Sequence, residues 1–365
     1  LFWFWKRKTD DQDAPTGVEP FILDSDTPSQ PTEFELKLYI NGKKYIYQLI
    51  LSPKDILSEK LHVYNSNQPS LLMHRELVDS NTALKFNQSL IKVSAAVKDE
   101  LTAKCLKNMS LFAARKAVNC NLGEIDDVRD WMINHTLPVI DLGQKMFNYA
   151  ERNMLENPDA KKHLLDFCHN IGFNIEDMAV EKDYMSLTPE MIQFIKSSGQ
   201  LSDENASKLS KDPKMPNGFK TDFIVSVINK RGKEIYTLPK ASQSEGTLRA
   251  MGIETALYVA EQNNKLLPID EIETSMHPLL LKFMIQSFLK VQSRSQLLLT
   301  THYDPLFTAV DDYLRKDSFW LMDKRDDGHS ELYPLISKNG VNKMRSLQRA
   351  YLNNKLGALP QIANV

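Results

Sequence analysis

The stretch Leu266-Leu267-Pro268-Ile269-Asp270-Glu271 decides the fold class of this 365-residue chain and its candidate chemistry. A short apolar run is typical of a buried parallel strand, and ligands of open α/β sheets bind where such strands end. Asp270 and Glu271 would then stand where one carboxylate holds Mg²⁺ and the other orients or deprotonates an attacking water. Taken alone, the stretch is equally compatible with a solvated acidic turn.

A second apolar strand is predicted at residues 296–301, and His302 follows it. Between the two strands, residues 279–291 have the apolar spacing of an amphipathic helix. A strand, helix, strand unit brings the two strand ends together, which would place His302 beside the two carboxylates. A neutral imidazole there could donate to a phosphate oxygen or position the water. The predicted apolar side of the helix consists of Leu280, Phe283, Met284 and Phe288.

Upstream, Ser244, Glu245 and Gly246 precede a helical pattern that runs through Val259. A small hydroxyl and a glycine at a helix N-terminus leave backbone N–H groups and the positive end of the helix dipole free for a phosphate. An ordinary helix cap is the alternative interpretation. Arg249, just inside this helix, is expected to face outward, although contact with a nucleotide or a second subunit stays open.

These three segments resemble, in order, the signature motif, the Walker B motif and the switch histidine of ATP-binding-cassette P-loop ATPases. In the subgroup related to chromosome-maintenance, DNA-repair and overcoming-lysogenization-defect ATPases, Walker B is followed by Glu-x-Ser-x-His-Pro, which residues 273–278 match. Residues 351–353 and 356–360 are similar to the terminal motif of RloA-like ATPases. Those proteins are associated with abortive infection and phage defence.

The resemblance implies a nucleotide-binding role for four residues. Ser244 and Gly246 match the signature residues that contact the γ-phosphate of ATP held by a partner subunit, and Glu245 occupies a position that is often acidic in the subgroup. Ser275 lies in the segment that matches the D-loop, which crosses between subunits. The resemblance therefore implies a head-to-tail dimer that encloses ATP.

The resemblance also implies the catalytic roles. Asp270 matches the carboxylate that binds Mg²⁺, Glu271 the catalytic base and His302 the switch residue. The implied ligands are ATP and Mg²⁺. A single copy would then be inactive, since each ATP needs residues from two subunits.

One motif of the class is missing from the sequence. The phosphate-binding loop Gly-x-x-x-x-Gly-Lys-[Ser/Thr] does not occur, because Gly42-Lys43 and Gly232-Lys233 lack a preceding glycine at the required spacing. Leu1 is not an initiator methionine, and the residues that follow it are typical of a segment inside a longer chain. We therefore expect an upstream segment with the first strand, the phosphate loop and its helix. A degenerate subunit that does not bind phosphate by itself is the alternative.

Length and composition agree with a cytosolic α/β protein that has a large core. The chain is 42% hydrophobic and has a net charge of −2, which gives no general attraction to nucleic acid. Its three cysteines have neither paired nor metal-type spacing, which suits a reducing compartment. No apolar run approaches the ~20 residues of a membrane-spanning helix. We expect a cytoplasmic protein that does not contact a membrane.

The predicted fold is α/β, an ABC-ATPase-like P-loop core with antiparallel β-hairpins and a helical insertion subdomain. Three parts are expected. Residues 1–91 would be the β-rich part of the core, 92–217 the helical insertion and 218–365 the part with the signature, Walker B and switch motifs. A β-hairpin is predicted at residues 34–50 around Asn41-Gly42. Further strands are predicted at residues 56–64, 71–77, 222–229, 234–238 and 319–324. Helices are predicted at residues 97–118, 125–155, 158–171 and 188–196. A linker is predicted at residues 197–217.

Three functions are compatible with these motifs. The first is an anti-phage or abortive-infection ATPase whose nucleotide state controls a separate effector, such as an RloB-like or Toprim nuclease. The roughly 60 residues after His302 are too few for a nuclease domain, so nucleic acid would be reached through that partner. The second is a DNA-repair or chromosome ATPase that binds DNA directly. The third is a catalytically inert scaffold with the same fold.

Overall fold

The computed structural model describes residues 1–197, 209, 213–310 and 312–359, and it has a mixed α/β architecture. The chain divides into two compact units. One consists of Leu1–Pro138 together with the part from Asp304 onward, and the other of Val139–Tyr303. The mixed α/β class predicted from the sequence is confirmed. The three-part division at residues 91 and 217 stays a prediction.

The first unit is built on a five-stranded antiparallel sheet with strands in sequence order. The hairpin predicted around Asn41-Gly42 is confirmed. Both turn residues have positive φ, 51° and 79°, which matches the right-handed twist of the flanking strands. The strands are β1 (Thr32–Ile40), β2 (Lys43–Leu51), β3 (Ile56–Tyr64), β4 (Pro69–Val78) and β5 (Asn81–Phe86).

The core of the first unit forms where helices cover one face of this sheet. The buried Tyr47 ring stacks on Phe112 with centroids 5.4 Å apart and meets the edge of Trp5 at 5.9 Å. The Tyr47 hydroxyl donates to the buried Glu59 carboxylate at 3.0 Å. The same carboxylate accepts from the Leu111 backbone N–H at 2.7 Å. Burial raises the pKa of Glu59. The helices are α1 (Phe2–Lys6), α2 (Ala95–Lys104), α3 (Leu111–Ala114) and α4 (Glu124–Asn134).

The C-terminal part of the first unit is a hairpin and a short helix. Strands β11 (Trp320–Lys324) and β12 (Ser330–Pro334) pair antiparallel, and α10 (Leu347–Leu352) follows them. The Tyr351 hydroxyl donates to the Ala358 carbonyl at 3.2 Å, so the terminal motif folds back on this helix. Pro360, the last residue of that motif, lies outside the described residues.

The second unit contains one antiparallel sheet, one parallel pair of strands and five helices within the described residues. The antiparallel sheet has the order β6, β7, β8, and the parallel pair is β9 with β10. The strands are β6 (Ile175–Ser186), β7 (Lys214–Asn229), β8 (Gly232–Pro239), β9 (Leu266–Ile269) and β10 (Gln296–Leu299). The helices are α5 (Met146–Glu156), α6 (Pro158–Asn170), α7 (Pro189–Ser197), α8 (Glu245–Asn263) and α9 (Pro278–Lys290).

The predicted strand, helix, strand unit is confirmed. β9 and β10 are parallel, with Leu266 opposite Gln296 and Ile269 opposite Leu299, and α9 connects them. The buried side of α9 differs in part from the prediction. The buried positions follow the helical spacing i, i+3, i+4 and i+7 from Leu281, whereas the predicted side began at Leu280. The buried residues of α9 are Leu281, Met284, Ile285 and Phe288.

The predicted helical segment is wrong in three places. Residues 105–110 separate α2 from α3, and residues 135–145 separate α4 from α5. Pro138 cannot donate a helical hydrogen bond, and Ile140 pairs instead with Ile269 as a parallel bridge. Residues 175–186 are strand β6, because they pair with β7 along their whole length.

The linker predicted at 197–217 lies largely outside the described residues. Its last four residues, 214–217, belong to β7. The helix predicted to begin after Thr188 is confirmed as α7, and the Thr188 hydroxyl accepts from the Met191 N–H at 3.4 Å. In the described part of the chain, no helix is long and apolar enough to cross a membrane.

Candidate functional site

Asp270 and Glu271 stand at the carboxyl end of β9, next to the end of β10. The two strand ends are tied together, since the Thr300 N–H donates to the Ile269 carbonyl at 3.0 Å. The Thr300 hydroxyl accepts from the Glu271 N–H at 2.9 Å and donates to an Asp270 carboxylate oxygen. One hydroxyl therefore fixes the backbone of Glu271 and the side chain of Asp270. The sequence interpretation missed Thr300, because it assigned residues 296–301 to the strand, whereas the strand ends at Leu299.

Glu271 has an unusual backbone conformation. Its φ is 45°, a left-handed value that is uncommon for a glutamate and costs energy. The turn that follows holds it there, because the Thr274 N–H donates to the Glu271 carbonyl at 3.1 Å. Such strained residues cluster at functional sites, where the surrounding structure imposes their conformation. The Glu271 side chain is 36% exposed, so its carboxylate can meet solvent or a ligand.

His302 lies beside Glu271. Its Nε2 atom is 3.9 Å from a Glu271 carboxylate oxygen, and its side chain is 87% exposed. Only its backbone is held tightly: the His302 N–H donates to Glu273 at 2.6 Å, and the Thr301 hydroxyl donates to the other oxygen of that carboxylate at 2.6 Å. Glu273 thus fixes the turn that carries the imidazole. The sequence interpretation quoted Glu273 within a motif and did not assign this role to it.

Ser244 is the N-cap of α8. Its hydroxyl oxygen accepts from the Thr247 N–H at 3.1 Å and lies 2.8 Å from the Thr247 hydroxyl. The cap interpretation is therefore correct. It leaves the phosphate interpretation open, because Ser244 and Glu245 are both exposed and the first N–H groups of a helix have no intrahelical acceptor.

Gly246 lies directly against Ser275. A β-carbon on residue 246 would be 2.3 Å from the Ser275 carbonyl oxygen. Ser275 is exposed and has a φ of 62°. The start of α8 and the turn after Glu271 are therefore in backbone contact.

Arg249 connects the same two segments. Its guanidinium donates at 3.4 Å to the carbonyls of Asp141 and Glu271, and the side chain is half-buried. The expectation that Arg249 faces outward is wrong, because the turn after β9 folds over the start of α8. Burial lowers the pKa of Arg249, while the carboxylates of Asp141, Glu271 and Glu273 act in the opposite direction.

The structure thus brings the sequence-predicted residues together in two groups. Asp270, Glu271 and His302 form one group at the strand ends. Gly246 and Ser275 form the other, next to the cap residue Ser244. Arg249 links them within one chain.

A scan against protein-family models matches residues 2–308 to the family described as "AAA domain, putative AbiEii toxin, Type IV TA system". A search of curated proteins finds no match. Because the family match spans most of the sequence, the chain belongs to this family, a group of AAA-type P-loop ATPases of the abortive-infection kind.

Proposed function

We propose that this member of the AAA-domain family is an ATP-binding-cassette-like ATPase that encloses ATP between two copies of itself and controls a separate effector in defence against phage. Asp270, Glu271 and His302 of one copy would act on an ATP molecule whose γ-phosphate meets Ser244 and Gly246 of the other. The proposal treats residues 92–217 as the partner-specific insertion of the cassette core.

The observation that carries the proposal is the arrangement of Asp270 and Glu271 at the end of β9, where the Thr300 hydroxyl binds the Asp270 carboxylate and the Glu271 backbone N–H. Within the described residues, no three His, Cys, Asp or Glu side chains converge to hold a metal by themselves. Mg²⁺ suits such a site, because it commonly binds one or two carboxylates and takes its other ligands from phosphates and water. Asp270 would hold Mg²⁺, which when bound neutralises charge on the β- and γ-phosphates.

Glu271 is suited to act as the general base. Its backbone is fixed by Thr300 while its carboxylate remains accessible. A water between that carboxylate and the γ-phosphate would lose its proton to Glu271 as its oxygen bonds to the γ-phosphorus, while the bond from that phosphorus to the bridging oxygen breaks and ADP leaves. His302, exposed and 3.9 Å away, can turn toward a phosphate oxygen. Because the His302 imidazole is exposed and close to Glu271, it is suited to sense whether a γ-phosphate is present.

A second copy completes the site. Ser244 and Glu245 are exposed at the N-terminus of α8, where N–H groups and the helix dipole favour a phosphate. Two copies related by a two-fold axis would form two equivalent sites. The toxin and antitoxin context of the family supports a separate partner protein. We assign to that partner, of RloB-like or Toprim nuclease type, any contact with nucleic acid.

ATP binding and turnover in the intact protein test the proposal. Glu271→Gln should retain ATP binding and lose turnover by more than about 100-fold, the usual contribution of a general base. Glu156→Gln, an exposed glutamate at the end of α5, is the matched control and should behave as wild type. Normal turnover in Glu271→Gln would remove Glu271 from its role. Absence of ATP binding would favour an inert scaffold.

ATPases of this class bind the phosphates of ATP through a Gly-x-x-x-x-Gly-Lys-[Ser/Thr] loop. Residues 1–365 contain no matching sequence, so ATP binding by these residues alone would need other phosphate contacts.

A further inference from the structure

An ion pair between a half-buried lysine and a buried glutamate anchors the turn that leads into Ser244. Lys240 begins this turn, Lys240–Ser242, and its neighbours Ala241 and Ser242 are exposed. The Lys240 ammonium reaches inward instead and lies 2.8 Å and 2.9 Å from the two carboxylate oxygens of Glu151. The Lys240 side chain therefore connects this turn to a buried carboxylate.

Glu151 is placed to hold that side chain in one position. It lies on α5, its side chain is 0% exposed, and one carboxylate oxygen also accepts from the Thr221 hydroxyl at 2.6 Å. Hydrogen bonds between charged partners are shorter and stronger than neutral ones. A buried carboxylate without its cation is strongly disfavoured, so the pair resists separation.

The surroundings of Lys240 restrict it further. Its ammonium lies 5.7 Å from the centroid of the Phe147 ring and 3.5 Å from the Asn148 side-chain oxygen. Both residues are on α5, as Glu151 is. Three side chains of one helix thus surround a single ammonium group.

The same helix also holds the body of α8. A β-carbon on Gly252 would be 2.5 Å from the backbone carbonyl carbon of Met146, so the two helices approach at backbone distance. Helix α5 therefore fixes the turn before Ser244 through Glu151 and the helix after Ser244 through Met146. The position of the Ser244 hydroxyl depends on α5 from both sides.

We propose that Lys240 and Glu151 are positioning residues that set Ser244 and the first turn of α8 for the γ-phosphate of ATP. This inference rests on the proposed function, in which Ser244 meets ATP held by a second copy. Neither residue touches the nucleotide.

The test uses two variants of the intact protein and a control. Lys240→Met breaks the pair and leaves the Glu151 charge unpaired. The double variant Glu151→Met/Lys240→Met removes both charges, and we expect it to be more stable than Lys240→Met because no buried charge is left unpaired. The control is Lys233→Met, which removes the largely exposed pair of Lys233 with Glu176, 2.7 Å apart in the same sheet.

The first measurement is amide hydrogen exchange without nucleotide over residues 240–248. We expect faster exchange than in wild type in both Lys240 variants, including the more stable double variant. The control should exchange at the wild-type rate. Wild-type exchange in the double variant would show that the pair contributes stability alone, and would overturn the positioning role. This outcome does not depend on whether the protein hydrolyses ATP.

The second measurement is ATP turnover and the affinity for ATP. Both Lys240 variants should bind ATP as wild type does and lose turnover by about 10- to 100-fold, the usual cost of a misplaced contact. Unchanged turnover in both variants would also overturn the inference. A wild-type protein without turnover would contradict the proposed function instead, and hydrogen exchange would then decide the positioning role.

Discussion

The α-carbon of Gly246 lies so close to Ser275 that a β-carbon on residue 246 would be 2.3 Å from the Ser275 carbonyl oxygen. Neither side of this contact can easily move. Ser275 has a φ of 62°, and the turn it belongs to is fastened at Glu273 by Thr301 and His302. The glycine of the candidate signature motif is therefore required by its own chain, quite apart from any ATP molecule.

Gly246→Ala should separate the start of α8 from the turn at Ser275. We expect a loss of stability of about 1–3 kcal/mol, as for other overpacked sites, and a loss of ATP turnover. Thermal unfolding and a turnover assay measure the two effects. Gly143→Ala is the control, since its β-carbon would meet only Asp141, at an ordinary 3.5 Å. A Gly246→Ala protein with wild-type unfolding would contradict the close approach.

Thr300→Val should release the Asp270 carboxylate and the Glu271 backbone N–H while keeping the shape of the side chain. The hydroxyl that links the Glu271 N–H to Asp270 is lost. We expect stability to fall by about 1 kcal/mol, the net value of a hydrogen bond, and turnover to fall by about 10-fold or more because the two groups lose their alignment. Thr237→Val, on an exposed position of β8, is the control. Equal turnover in the two variants would contradict the role of Thr300.

Glu273→Gln should loosen the turn that carries His302. The His302 N–H and the Thr301 hydroxyl donate to two different carboxylate oxygens. An amide replaces one of these oxygens with an NH₂ group, so one of the two donors loses its acceptor at that position. We expect faster hydrogen exchange at His302 and a fall in turnover smaller than that of Glu271→Gln. Exchange measured beside Glu156→Gln provides the comparison, and protection at His302 equal to that control would refute the assignment.

The sequence predicted those parts of the site that depend on local pattern. Apolar runs with an intervening amphipathic helix predicted β9, α9 and β10, and parallel pairing then brought His302 next to Glu271. Chain topology alone made these two residues neighbours. No energetic detail was needed.

Contacts between distant segments could not be predicted in this way. Glu151 meets Lys240 and Thr221 only because α5 and β7 pack together, and a single sequence contains no signal of such packing. The strand β6 was missed for a related reason. Its residues have no strong strand alternation, and pairing with β7 decides their conformation.

Glu261 on α8 should make stability depend on pH. Burial, followed by the negative charge of Glu254, raises the pKa of Glu261 from the ordinary 4.5 to about 7, although His163 acts in the opposite direction. The folded protein therefore retains a proton that the unfolded chain releases between these two pH values. The resulting stabilisation is complete below about pH 4.5 and is lost as pH rises through about 7.

Glu261→Gln has no charge to gain, so its midpoint of thermal unfolding should fall less than that of wild type between about pH 5 and pH 8. Above that window, the variant should be the more stable protein, since wild type then holds a half-buried charge near Glu254. Thermal unfolding at a series of pH values measures the difference, and Glu156→Gln at an exposed position should follow wild type. Parallel curves for Glu261→Gln and wild type would show that Glu261 titrates alike in the folded and unfolded chains.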